Sequence, residues 1–397
     1  MPRTTVSHPA ESTLDAALAA VRARGPEMLA LTRRWVEVNS FTSNIAGVNQ
    51  VGAMLREAYA LGPLTLTAVS GGDAFGDHLF WRTAAKGEPI LLVGHHDTVF
   101  PPGHFEGWRE DGNRAIGPGA LDMKGGLAII RTALAALDDA GVLARLPVIV
   151  ACVADEEVGS PTSAPRLREL ATGASCALVF ESGRANDMII TRRKGVGAMT
   201  VIAHGKAAHA GNNHADGANA IVALAKFVDA AQALTDYGRG ITVNVGQFSG
   251  GTSKNTVPER AECKLDLRYQ TVADAEAIVA ALREAAVAAG AAVRGVTLEV
   301  QGGVNRLPLE RTDASAALRD EYAACARACG LGDGEAPLLG GGSDANTIAP
   351  LGVPAIDGLG PRGAGFHTST EYVELDTFVP KCEALVRFLI GRLPAGQ

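Results

Sequence analysis

Three short apolar runs, each leading straight into a histidine or a carboxylate, constrain this chain more than any other feature. They are Glu88 to His95 (EPILLVGH), Pro147 to Ala154 (PVIVACVA), which Asp155 follows, and Ala177 to Phe180 (ALVF), which Glu181 follows. None alternates apolar and polar residues as a half-solvated strand does. Helical periodicity lies between them, as in Met123 to Ala140, which closes on Gly141. Continuous apolar runs separated by helices are the mark of strands buried on both faces. The pattern predicts an α/β fold with a mostly parallel central sheet flanked by helices. Ligands of such sheets gather at the carboxyl ends of the strands, which is where the polar residues of this sequence fall.

Upstream, Glu11 to Ala60 reads as two amphipathic helices broken by the polar segment Asn39 to Asn44. Downstream, Gly195 to Arg306 changes character. Strands are predicted at Val196–Ala203, Ile241–Phe248, Arg260–Tyr269 and Val296–Val304, and helices at Gly217–Leu234 and Val272–Ala289. The order β-α-β-β-α-β is that of a ferredoxin-like α+β unit. The chain is therefore expected to comprise one domain from 1–194 and 306–397, interrupted by a second at 195–305. Helices at Ala314–Gly330 and Leu375–Leu393 would complete the first.

Composition removes several function classes. Hydrophobic residues make up 47% and charged residues 20%, enough for large cores. The formal net charge is −7 and no basic run exceeds three residues, which argues against nucleic acid. No apolar stretch approaches the roughly 20 residues of a membrane span. The first residues show no apolar core with a cleavage pattern, so no signal peptide is predicted and a cytoplasmic location is expected. The six cysteines form no C-x-x-C pair and read as reduced thiols, with Cys325 and Cys329 packed on a helix.

Five segments carry the chemistry. In Gly94-His95-His96-Asp97-Thr98-Val99, strand alternation puts His95 and Asp97 on one face and His96 on the other. Imidazole is a good zinc ligand, and a carboxylate on its other nitrogen fixes tautomer and orientation. For a lone H-x-D a surface turn is the commoner reading. Asp122, in Gly117-Pro118-Gly119-Ala120-Leu121-Asp122-Met123-Lys124-Gly125-Gly126, is a candidate ligand or the cap of the helix that follows. Asp155-Glu156-Glu157 places three acids at one strand end, where they repel unless cations or protons intervene; a solvated acidic turn is the alternative. Glu181 in Phe180-Glu181-Ser182-Gly183 and His367 in Gly365-Phe366-His367-Thr368-Ser369-Thr370-Glu371-Tyr372 complete the set. Two histidines with four or more carboxylates, and no thiolate, suit a two-metal hydrolytic centre.

The order and wording of these segments resemble the zinc aminoacylase and carboxypeptidase family, which includes glutamate carboxypeptidase, acetylornithine deacetylase and succinyl-diaminopimelate desuccinylase. The likeness covers nearly the whole chain and implies a catalytic domain with an inserted lid or dimerisation domain. It implies that His95 and Glu181 bind one zinc, that Glu157 and His367 bind the other, and that Asp122 bridges both, with cobalt or manganese as alternative metals. Asp97 would orient His95. Glu156 would be the general base, taking a proton from the attacking water and returning it to the leaving amine. In Gly205-Lys206-Ala207-Ala208-His209-Ala210-Gly211, His209 would stabilise the oxyanion in the partner subunit's site, making a homodimer part of the catalytic apparatus.

By the same resemblance, Asn255 in Gly251 to Pro258 would bond the reacting group, and Arg268 would clamp a substrate carboxylate through its planar fork. A strand-end ion pair is the plainer reading of Arg268. Gly341, in the glycine-rich segment Gly340 to Asn346, would line the pocket; no Walker Lys-Ser/Thr follows to make it a phosphate loop. Arg306 is a second candidate for substrate anions. His204, His214, His96 and His104 match no position of the pattern. Glu at 181, the His-x-Asp-Thr-Val wording and the pair Arg268-Tyr269 lean toward glutamate carboxypeptidase. The expected reaction is therefore release of a C-terminal, glutamate-like amino acid from an N-acyl or peptidyl substrate. A deacylase or amidase for a specialised small amide shares every metal residue. A non-catalytic amino-acid-binding homologue is disfavoured by the presence of Glu156. A nucleotide-dependent dehydrogenase is disfavoured by the lack of G-x-G-x-x-G after a first strand.

Overall fold

The computed structural model describes residues 9–394. They fall into two compact units, one of 9–191, 311–337 and 343–394, the other of 192–310 and 338–342. The division thus lies at 192 and 310 rather than at 195 and 305. The segment 338–342 goes with the second unit for a local reason. Leu339 bridges to Arg193, whose Nη1 donates to Gly341 O at 3.2 Å.

The first unit is built on a six-stranded sheet in the order Leu64–Val69, His78–Thr83, Val148–Val153, Ile90–His95, Cys176–Val179, Ala355–Ile356. The last four strands run parallel; three of them are the buried apolar runs of the sequence, and Ala355–Ile356 is a short addition that the sequence did not predict. The first two are antiparallel additions at one edge. The helices Pro9–Val36, Gly125–Asp139, Asp313–Arg327 and Phe378–Gly391 share one core with the sheet, centred on residues such as Leu92, Leu127, Val150, Leu178 and Phe388. Each large apolar side chain so buried contributes about 1.5–3 kcal/mol. Register sets the functional edge, since His95 lies opposite Val153 and Leu92 opposite both Val150 and Leu178. The carboxyl ends of all three strands therefore meet along one edge.

Two glycines permit this convergence. A Cβ on Gly94 would meet Met123 Cε at 2.5 Å, and one on Gly126 would meet the Phe180 carbonyl at 2.2 Å. Only glycine lets the Gly125–Asp139 helix approach the strands that lead to His95 and Glu181 so closely. A second small sheet joins Gly363–Ala364, Tyr372–Glu374, Arg114–Ile116 and Arg109–Asp111. It carries the loop with His367 on the connection between its first two strands.

The second unit has a four-stranded antiparallel sheet in the order Thr242–Gly250, Arg260–Tyr269, Gly195–His204, Thr297–Arg306. Its helices are Ala220–Gln232 and Val272–Ala291, capped by the side chains of Asn219 and Thr271. Counted along the chain the strands lie 2-3-1-4, the ferredoxin-like arrangement. Burial alternates along Arg260–Tyr269, and the inward residues meet Leu224, Phe227, Ile278 and Leu282 of the helices. Among the described residues no helix is long and apolar enough to cross a membrane.

Candidate metal centre

His95 ends its strand fully buried, and its two ring nitrogens face different partners. Nδ1 donates to the Asp97 carbonyl at 3.1 Å and lies 3.4 Å from Asp97 Oδ1. That arrangement places the proton on Nδ1 and leaves the Nε2 lone pair free. Nε2 points at Asp122 Oδ1 (3.4 Å) and Glu181 Oε1 (3.6 Å) and makes no hydrogen bond. On the other side of Asp122, His367 Nε2 lies 3.3 Å from Oδ2 and 3.2 Å from Glu157 Oε2. One carboxylate thus stands between two pairs, each of one imidazole and one glutamate.

Local structure explains how each arrives. Asp122 sits in an irregular turn, Ala120–Lys124, with φ −119° and ψ 88°, and the Asp122–Met123 peptide is cis. The helix after it is not capped by this side chain. The capping alternative open in the sequence therefore does not hold, because the carboxylate is turned toward the histidines. Lys124, buried behind it, donates to the carbonyls of Trp35 (2.9 Å) and Val38 (3.1 Å) and ties the turn to the first helix. His367 adopts a left-handed conformation, φ 62°, which for a non-glycine residue is uncommon and marks a position held by its surroundings.

The three acids after Val148–Val153 divide. Asp155 is fully buried and accepts from the N–H of Thr162 (2.7 Å) and Ser163 (3.1 Å) and from both hydroxyls, so it secures the loop. Glu156 and Glu157 turn back toward His95. The ligand atoms of His95, Glu156 and Glu181 lie within 4.8 Å of one another, as do those of His95, Asp122 and Glu157. Asp97 connects the parts. Its Oδ1 accepts from Glu156 N–H (3.3 Å), and its Oδ2 accepts from Glu157 N–H (3.3 Å) and the Thr42 hydroxyl (2.8 Å). It therefore holds the Glu156–Glu157 backbone as well as His95, a wider role than the spacing predicted. Thr42, far upstream in the sequence, had no signal of its own.

The electrostatics ask for positive charge. Burial first, and then the Asp122 charge, push Glu157 up to about 8. The same two causes drive Glu181 well above the usual range. Contacts with Asp122 and then Glu157 raise His367 to about 10. For Asp122 burial works upward, but His367 and His95 outweigh it and hold the carboxyl low. Burial likewise opposes ionisation of Asp97, and His95 and Thr42 overcome it. The buried atoms His95 Nε2, Asp122 Oδ1 and Glu157 Oε1 are left without hydrogen bonds. Orphaned ligand atoms of nitrogen and carboxylate type, around an excess of negative charge, fit divalent cations such as zinc.

Among the sequence candidates in the second unit, His209 is exposed, and its Nδ1 accepts from the N–H of Gly211 and of Asn212, each at 3.1 Å. Asn255 is exposed and receives the Ser253 hydroxyl at 2.7 Å. Arg268 holds Asp266 with both arms of its fork (2.9 and 3.0 Å), the strand-end ion pair, and reaches Gly340 O at 3.4 Å. Arg306 ends its strand half-buried, and its carbonyl accepts from Tyr269 Oη at 3.2 Å. His96 is fully buried against Cys152 Sγ (3.2 Å), and burial lowers its ring to about 3, consistent with packing alone.

Comparison with known proteins agrees with this geometry. Residues 191–293 match the M20 peptidase dimerisation domain. The chain is 29% identical to carboxypeptidase G2 of Pseudomonas sp. (strain RS-16), over 94% of this chain and 90% of that one. It is 28% identical to acetylornithine deacetylase of Myxococcus xanthus, over 96% and 99%. The crystal structure of aminopeptidase PepT from Bacillus cereus ATCC 10987 shares the fold, with a TM-score of 0.75 at 23% identity, covering 92% of this chain and 98% of that one. The chain is thus similar over nearly its whole length to carboxypeptidase and deacylase relatives, carries a match to the M20 peptidase dimerisation domain, and is a hydrolytic enzyme.

Proposed function

We propose that this protein is a di-zinc amide hydrolase that releases a C-terminal, glutamate-like amino acid from an N-acyl or short peptidyl substrate, working as a cytoplasmic homodimer. One observation carries the reading: the Asp122 carboxylate stands between His95 with Glu181 and His367 with Glu157. In the proposal each pair would hold one cation, and Asp122 would be a ligand common to both. Two divalent cations at such a centre lower the pKa of water and polarise the scissile carbonyl.

The remaining steps belong to the chain. Glu156 Oε takes a proton from the attacking water and delivers it to the departing nitrogen, as a general base and then an acid. Its backbone N–H is held by Asp97 Oδ1, and its carboxylate lies beside His95 and Glu181. His209 donates to the oxyanion from the partner's lid. Its Nδ1 already accepts two amide protons, which leaves Nε2–H as the outward donor such a role requires. Asn255, Arg268, Arg306 and Gly341 contact the substrate. Arg268 would exchange its Asp266 partner for the substrate carboxylate, a like-for-like bidentate swap.

The similarity to a carboxypeptidase supports an amide with a free α-carboxylate on the leaving side; the deacylase relative supports the same bond with a smaller acyl group. The test is a hydrolysis screen of N-acyl amino acids and dipeptides, with acyl and amino parts varied, before and after removal of metal by a chelator. Turnover of acyl-glutamates above other acyl-amino acids is expected, lost on chelation and restored by zinc. Zinc-loaded protein that cleaves none of them refutes the proposal. Preference for the acyl part over the amino part selects the deacylase.

A further inference from the structure

Glu371 lies four residues after His367 and is fully buried, 0% exposed. Its Oε1 accepts hydrogen bonds from the backbone N–H of Leu121 (2.8 Å) and of Asp122 (3.1 Å). The main chain repeats the connection, since Gly117 N–H donates to Glu371 O at 3.3 Å and Tyr372 pairs with Ile116. The other carboxylate oxygen, Oε2, is buried without a hydrogen-bond partner.

A buried carboxylate is a costly way to satisfy two amides. Its surroundings resist ionisation: burial and then the nearby Asp122 charge raise it to about 8. What the position achieves is geometric. The Ala120–Lys124 turn departs from helical dihedrals at Asp122 and Met123, so Leu121 and Asp122 N–H find their acceptor in this carboxylate. On the other side, Phe366 to Thr370 are all exposed, and that loop bonds chiefly to itself, through Thr368 to Gly365 O and Thr370 to Thr368. The spacing of His367 from Asp122 is therefore set where the loop re-enters the fold, at Glu371.

We infer that Glu371 is a positioning residue that clamps the Asp122 turn to the His367 loop and so sets the site of the cation shared by Asp122, His367 and Glu157. The inference rests on the two-metal reading above. It bears most on one half of the centre, because Asp122 is common to both halves whereas Glu371 ties it only to the His367 loop.

Metal-depleted wild-type protein, Glu371→Met and Glu371→Gln are titrated with Zn²⁺ in competition with a chromophoric chelator, and with Co²⁺ followed by visible absorption. The wild type is expected to take up two equivalents. Methionine matches the length but accepts no N–H bond. It should weaken the equivalent at His367 and Glu157 about 10–100-fold and shift its Co²⁺ bands, with a smaller loss at the His95 and Glu181 equivalent, which shares only Asp122. Glutamine, whose carbonyl accepts the same two bonds, should restore the His367 and Glu157 site to within a few-fold. Two wild-type affinities in Glu371→Met, or a Glu371→Gln as impaired as Glu371→Met, overturns the clamp. A wild type that binds no second equivalent overturns the two-metal reading itself, and is seen before any variant. Should Glu371→Met fail to fold, hydrogen exchange in metal-depleted wild type decides. The amides of Leu121 and Asp122 should be protected like those of the Gly125–Asp139 helix, and exchange at loop rates overturns the inference.

Discussion

Replacing Asp97 by asparagine tests the centre at the point where its parts are joined. The carboxylate serves two pairs of donors: Oδ1 faces Glu156 N–H and His95 Nδ1, and Oδ2 faces Glu157 N–H and the Thr42 hydroxyl. An asparagine offers one oxygen and one NH₂. With the oxygen at the Oδ1 position, His95 and Glu156 keep their acceptor, and His95 Nδ1 retains the Asp97 carbonyl besides. The NH₂ then faces Thr42, which can turn its hydroxyl toward Thr98 O, 3.4 Å away, and accept. Glu157 N–H has no such freedom and meets a donor instead of an acceptor. The opposite orientation is worse, since NH₂ would oppose two N–H donors. The cost is one buried amide left unpaired, about 1–3 kcal/mol. At about 1.4 kcal/mol per tenfold, this corresponds to roughly 5–150-fold weaker binding of the cation proposed for Glu157. Competition with a chelator measures it directly, and the His95 side should change much less. Asp97→Asn protein with both zinc affinities intact would show that the carboxylate does not hold the Glu156–Glu157 turn, and the reasoning would fail.

The other predictions follow from the same coordinates. Glu156→Gln should lower kcat about 10²–10⁴-fold while two equivalents of zinc stay bound, because the amide cannot carry a proton but leaves the ligands in place; elemental analysis beside steady-state kinetics checks both, and unchanged turnover would remove Glu156 from the mechanism. Gly126→Ala should destabilise the protein by about 1–3 kcal/mol, since the new methyl would sit 2.2 Å from the Phe180 carbonyl and push the helix off the strand that carries Glu181. A lower thermal midpoint together with weaker zinc binding is the expected result, and a neutral effect on both would contradict the packing argument.

Much of the first unit was legible because burial on both faces leaves a strand no room for polar residues except at its ends. Hence three uninterrupted apolar runs located three edges of the site before any contact was known. The antiparallel strand Leu64–Val69 escaped notice because it is the edge strand, held by one neighbour and mostly exposed, so its sequence is free to vary; His78–Thr83, buried and paired on both sides, escaped because its short run HLFWRT is bounded by a histidine and interrupted by an arginine. The ferredoxin-like unit was readable for the opposite reason: its sheet is covered on one face, and strands such as Arg260–Tyr269 alternate accordingly.

The site divides along the same physical line. Candidate ligands that follow buried strands, His95, Glu157 and Glu181, announce themselves by a polar residue where the apolar run stops. His367 lies on an exposed loop that bonds chiefly to itself and ends no buried strand, and only its motif made it visible. The residues that complete the geometry are less visible still. Thr42 reaches Asp97 across a separation of 55 residues, and Glu371 reaches the Asp122 turn across one of 249. Neither contact leaves a local period or spacing, because a hydrogen bond constrains two atoms in space and nothing in between. Yet these contacts hold Asp97 and the Asp122 turn, on whose spacing the proposed pair of cations would depend, so the part of the centre hardest to read in the sequence is the part the predictions above put to the test.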